Sequence, residues 1–153
     1  MTDAPKQQFE IHRLYIKDTS FESPSTPAIF REEWKPTVNI DLQTRSSVLE
    51  TNLHEVVLTV TATTTLGDKT AFLAEVQQAG IFLVGGFEKE ALGQMLGSFC
   101  PNLLFPYARE ALSDLTVRAG FPPLYLTPVN FDALYAQHLQ SQQGSVDGDA
   151  KAN

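Results

Sequence analysis

The sequence is short of the residues from which small reactive sites are usually assembled. It holds one cysteine, one tryptophan, two methionines and three histidines in 153 residues. A single cysteine forms no internal disulfide, so nothing points to selection for an oxidising compartment. The histidines, His12, His54 and His138, are far apart, and no two share a metal-ligand spacing. No glycine-rich phosphate loop is present. "VGGFEKEAL" follows a strand pattern and opens a helical one, but it lacks the Walker lysine and the GxGxxG spacing. Positive charge is scarce as well: 11 Lys and Arg against 18 Asp and Glu, a formal net charge of −7 and a pI near 4.8. Such a surface repels nucleic-acid phosphate and anionic lipid and suits a basic partner. No apolar run approaches membrane-spanning length, and "MTDAPKQQFEIHRLY" has no signal-peptide pattern. These absences lead us to expect a soluble, acidic, cytoplasmic single domain without cofactor or metal.

Aromatics, by contrast, are plentiful. The ten phenylalanines fit either a Phe-rich core or a second apolar surface for a ligand or for self-assembly. The first half alternates with period two, as half-buried strands do. In Phe9–Lys17 the pattern puts Phe9, Ile11 and Tyr15 on one face and Leu14 and Ile16 on the other. "VNIDLQT" sets Val38, Ile40 and Leu42 against Asn39, Asp41 and Gln43. A hairpin joins Glu55–Leu66 to Thr70–Val84 through Gly67 and Asp68. Between the first two strands, Asp18 to Pro36 carries three prolines and is read as an irregular loop. Its Phe21, Ile29, Phe30 and Trp34 are too apolar for a solvated linker. They suit either a lid over apolar surface or a staple on the core.

After Gly86 the period becomes helical. Ala91, Leu92, Met95, Leu96 and Phe99 form one stripe, and a new helix is expected to start at Pro101 and end at Arg118–Gly120. "FPPLYLTPV" is a connector, Asn130 caps a last helix, and residues 143–153 are expected to be a disordered tail, as residues 1–8 are to be a flexible start. Strands followed by helices imply an α+β fold, a four-stranded antiparallel sheet with helices packed on one face. Cys100 has apolar neighbours and no adjacent histidine, which favours a packed thiol over a nucleophile. Glu75 interrupts an apolar strand and must face water or a partner, as Gln77 does by alternation.

"YIKDTSFESP", "AFLAEVQQAGIF", "CPNLLFPYARE" and "LTPVNFDALYAQHL" together resemble the SecB family of bacterial protein-export chaperones, in the family's order from about Phe9 to Gln142. The resemblance implies a cytoplasmic homotetramer, a dimer of dimers, that holds precursor proteins unfolded without ATP and passes them to the SecA motor. It places SecA contacts on Asp18, Glu22 and Glu75, including contacts to SecA's basic, zinc-containing tail, the zinc belonging to the partner. Leu96, Phe99 and Cys100 fall in the region used for subunit contacts. Phe21, Phe30, Trp34, Phe121, Tyr125, Phe131 and Tyr135 are candidate walls of a substrate groove, chosen from the aromatic surplus together with the implied architecture. An oligomeric enzyme with a fold-assembled site and a scaffold for folded partners are the competing classes.

Overall fold

The computed structural model describes residues 6–151, with side-chain detail to residue 143. Four strands, β1 (Gln8–Glu22), β2 (Thr37–Glu50), β3 (Leu53–Leu66) and β4 (Lys69–Gly85), form one antiparallel sheet in the order β1-β4-β3-β2. Helices α1 (Lys89–Gln94), α2 (Cys100–Arg118) and α3 (Phe131–Lys151) come after the sheet in the chain. The α+β expectation and the four-stranded sheet therefore stand. The strands are longer than the sequence pattern suggests, because polar and apolar residues continue to alternate past the apolar runs.

Alternation divides the sheet into two unlike faces. Val56, Leu58, Val60 and Ala62 of β3 and Phe72, Ala74, Val76 and Phe82 of β4 point to one side. There they pack with Leu104, Phe105, Ala108 and Leu112 of α2. The opposite face of β3 carries Thr59, Thr61, Thr63 and Thr65, all partly exposed, opposite Gln77, Glu75 and Leu73 of β4 for the first three. Among the described residues no helix packs on that side.

β1 corrects the sequence reading. Its register with β4 shifts between Ile11 and Arg13 and again between Ile16 and Asp18. Each bulge inserts one residue and flips the parity of the strand beyond it. Phe9, Ile11, Leu14, Ile16 and Phe21 thus share the helix-side face, while Arg13, Tyr15, Asp18, Ser20 and Glu22 share the other. Tyr15, grouped with Phe9 and Ile11 by simple alternation, lies opposite them. Asp18–Glu22 is strand rather than loop, since the prolines that break the pattern begin only at Pro24. The loop proper carries a short 3-10 turn, Ala28–Arg31, whose Ile29 is buried in the core.

The helix break expected at Pro101 is absent. The backbone stays helical through Met95–Phe99 with a π-helical stretch, in which the Cys100 N–H bonds the Met95 carbonyl. Proline has no N–H for the usual bond and its ring crowds the carbonyl one turn back; wider turns just upstream accommodate both. α2 also carries Pro106 in its interior and ends at Arg118, with Gly120 two residues on at φ +91° turning the chain away. The Asn130 side chain accepts a hydrogen bond from the Ala133 N–H at 3.0 Å, capping α3 as expected. α3 continues past Gly144 to Lys151, since glycine weakens a helix without ending it and no proline interrupts it. The expected flexibility of residues 1–5 and disorder of residues 152–153 lie outside the described residues.

His54, on the helix-side face of β3, is buried, and among the described residues its Nδ1 has no hydrogen-bond partner. Burial holds its pKa below the ordinary value near 6.5. Its folded form therefore favours the neutral ring. The associated stability is complete above pH 6.5 and is lost as pH falls from 6.5 toward the depressed folded value, where the unfolded chain binds the extra proton. His54→Phe is expected to flatten the loss of thermal stability between about pH 8 and pH 5. Identical pH profiles for wild type and variant would refute this.

Candidate functional site

The helix-free face of the sheet gathers carboxylates from separate strands. Ser20 of β1 pairs with Glu75 of β4, Glu75 with Thr61 of β3, and Thr61 with Asp41 of β2. Asp18 and Glu22 sit two residues either side of Ser20 and point the same way, paired with Gln77 and Leu73. Thr61 Oγ1 donates to Glu75 Oε2 at 3.1 Å, orienting that carboxylate. Asp18 and Glu22 are exposed. Among the described residues no ion pair involves Asp18, Glu22, Glu75 or Asp41. The three carboxylates singled out in the sequence are thus brought onto one face, with charge left free for a cationic surface. Glu22, Glu75 and Leu73 line a hollow of about 340 Å³ there. The exposed Leu73 is absent from the sequence-based candidates, although it shares the alternation of Glu75 and Gln77.

The other end of this face is neutralised. Tyr15 donates a hydrogen bond to Glu55, and Lys17 Nζ lies 2.8 Å from Glu55 Oε1. These side chains cross β4 over Ala79, which is buried, as is its cross-strand partner Val57. Lys17 and the Tyr15 hydroxyl hold the Glu55 carboxyl below the usual range. Burial, then the bond to that carboxylate, pushes the Tyr15 phenol up to about 12.

On the helix side, the candidate groove aromatics separate into three places. Phe121 is the hub of one cluster: Phe30, Phe72, Trp34 and Phe21 lie 5.1, 5.1, 5.7 and 6.4 Å from it, centroid to centroid. Phe121 is buried, while Phe30 is 50% exposed, so this cluster joins the loop to the core and leaves one aromatic edge in solvent. Phe131 and Tyr135 lie instead on α3 and line a cleft of about 630 Å³ against β2, with Leu42, Leu96, Leu134 and Leu139. Leu134 and Leu139 are exposed apolar residues. Tyr125, 73% exposed, belongs to neither and borders a separate hollow beside Arg109.

The cleft exists because α3 is held at its start and stands off β2 farther along. Asp132 accepts hydrogen bonds from Ser98 and from Gln94 Nε2, the latter at 2.7 Å. Tyr135 rests on Gly93 and Gly97, where any Cβ would overlap the tyrosine ring or hydroxyl. β2 is an edge strand, so one wall of the cleft offers unpaired main-chain donors and acceptors.

Of the three residues expected at subunit contacts, Cys100 is enclosed by the chain's own core, with no exposure, and burial pushes its thiol up to about 12. Its surroundings cannot generate a thiolate near neutral pH, and it offers no surface to a neighbouring chain. Leu96 lines the β2–α3 cleft, whereas Phe99 is 43% exposed and meets Phe9 edge-on at 5.1 Å. Among the described residues no group of three or more His, Cys, Asp or Glu is placed to hold a metal, and no helix is long and apolar enough to cross a membrane.

A relative from Pseudomonas savastanoi pv. phaseolicola, named Protein-export protein SecB, is 55% identical, the match covering 94% of each chain. Another of that name from Ectopseudomonas mendocina is 54% identical over 99% of this chain and 92% of its own. Among solved structures, a SecB-like chaperone of Mycobacterium tuberculosis, in complex with a ChAD peptide from an antitoxin, has the same fold: TM-score 0.65, 18% identity, 79% of this chain and 90% of that one covered. The family described as Preprotein translocase subunit SecB matches residues 2–142, and the chain therefore belongs to the SecB family of protein-export chaperones.

Proposed function

We propose that the chain is an ATP-independent holdase that keeps precursor proteins unfolded and delivers them to SecA. The observation that carries this reading is the division of labour between the two sides of one sheet. The helix side offers an apolar cleft beside a free strand edge, and the other side offers carboxylates without cationic partners among the described residues. An extended client segment adds main-chain hydrogen bonds along β2 and places side chains against Leu42, Leu134 and Leu139. Each large side chain buried there contributes about 1.5–3 kcal/mol, so one cleft binds weakly. Several copies of the cleft in a tetramer would act on one long chain and raise its affinity by ~10²–10⁴. Assembly as a dimer of dimers is part of the proposal. It is supported by the free edge of β1, which carries exposed Ile11 and Ile16, with exposed Phe99 packed on Phe9 of that strand.

A holdase that consumes no nucleotide acts by mass action, binding the unfolded chain and not the native one. Slow-folding clients are captured and fast-folding ones escape. SecA docks on the acidic face, through Asp18, Glu22 and Glu75, with Leu73 as an apolar contact among them. The cytoplasm is the compartment this cycle requires. The test is suppression of aggregation of a slow-folding precursor at stoichiometric ratio without nucleotide. Full suppression is expected. Unchanged aggregation, with binding only to folded partners, would make the chain a scaffold instead.

A further inference from the structure

The bulge between Ile16 and Asp18 has an electrostatic consequence. Lys17 is the inserted residue, and its reach to Glu55 shows that it projects from the same face as Asp18, its neighbour in sequence. A cation on a flexible four-carbon stem beside an exposed carboxylate would ordinarily pair with it some of the time. Here the ammonium is drawn in the opposite direction. It lies 2.8 and 3.0 Å from the two oxygens of Glu55, two strands away, and Tyr15 donates to the same carboxylate. The Glu55 side chain is only 16% exposed while that of Lys17 is 39% exposed, so a partly shielded carboxylate anchors a cation that still reaches solvent. Gln78 Nε2 donates to the Tyr15 carbonyl at 3.2 Å, tying the backbone just before the bulge to β4.

We propose that Glu55 is a positioning residue for docking: it sequesters Lys17 away from Asp18 and so keeps the Asp18, Glu22 and Glu75 patch uniformly negative toward a cationic partner. This rests on the reading of that patch as the SecA docking surface. Glu55 itself need not touch the partner. Its removal frees a cation within the patch, and the weakening comes from that cation rather than from a lost contact.

The experiment measures affinity for purified bacterial SecA at low ionic strength, with far-UV circular dichroism confirming the fold. Glu55→Gln is expected to weaken binding about 2- to 5-fold, the range of an exposed ion pair. Glu10→Gln, which removes one charge from the same face without freeing Lys17, is expected to change little. The double variant Glu55→Gln, Lys17→Met is expected to restore wild-type affinity, which a merely structural role for Glu55 would not allow. Equal effects of Glu55→Gln and Glu10→Gln, or failure of the double variant to restore binding, would overturn the proposal. If Glu55→Gln does not fold, Lys17→Met alone decides: affinity at or above wild type supports the proposal and a fall refutes it. Charge reversal at Asp18, Glu22 and Glu75 in the same series separates the two ideas. If that reversal has no effect, the docking reading itself fails; if it abolishes binding while Glu55→Gln does nothing, only the role of Glu55 is lost.

Discussion

The triple variant Asp18→Lys, Glu22→Lys, Glu75→Lys is expected to lose SecA affinity by about 100-fold or more, since like charges brought together at an interface cost several kcal/mol. All three side chains stand on the helix-free face, and Asp18 and Glu22 are exposed. The fold loses little beyond the Thr61 hydrogen bond to Glu75, about 1 kcal/mol. Client holding should be unchanged, because the cleft lies on the other side of the sheet. The effect should shrink with salt, as exposed charge interactions are screened beyond about 10 Å at 0.1 M. Titration of SecA against wild type and variant checks this, and equal affinities would remove the acidic face from the account.

The complementary loss comes from Leu134→Asp with Leu139→Asp. Both leucines sit on α3 over the β2 cleft, 42% and 41% exposed in the free chain and outside the hydrophobic core. The substitutions therefore disturb folding little, while a client would have to bury two carboxylates where apolar surface stood. Partial burial of two leucines is worth about 2 kcal/mol, so affinity for an unfolded precursor should fall about 30-fold or more. SecA affinity should stay at the wild-type value. Binding of a permanently unfolded precursor, tracked by fluorescence, reads this directly. Wild-type client affinity in the double variant would move the groove to the Phe121 cluster.

How far the sequence reveals these surfaces differs by element. In β3 and β4 the alternation is uninterrupted, so spacing alone assigns Glu75 and Gln77 to a solvent face. β1 conceals its facing because neither bulge is marked by glycine or proline. Parity flips at His12 and Lys17 without a local signal, and simple alternation groups Tyr15 with residues that lie on the opposite side of the sheet. Asp18 and Glu22 stand out only through the family resemblance, and the strand that presents them has the composition of a loop. Pro101 resembles a helix start because the π-helical turns that absorb it have no distinctive composition. The aromatics are visible as a surplus, but their division among the core, the cleft and Tyr125 depends on how α3 docks. That docking is set by Asp132 and by the bare backbone of Gly93 and Gly97, which periodicity does not report. The apolar surroundings of Cys100, in contrast, are legible in its neighbours and are what bury it.

The central claim is that client and motor use opposite faces of one sheet. The measurement that tests it most directly is SecA affinity in the absence and presence of a saturating unfolded precursor. The account predicts a ternary complex, with SecA affinity undiminished when every cleft is filled. Displacement of SecA by the precursor, in proportion to its occupancy, would contradict it.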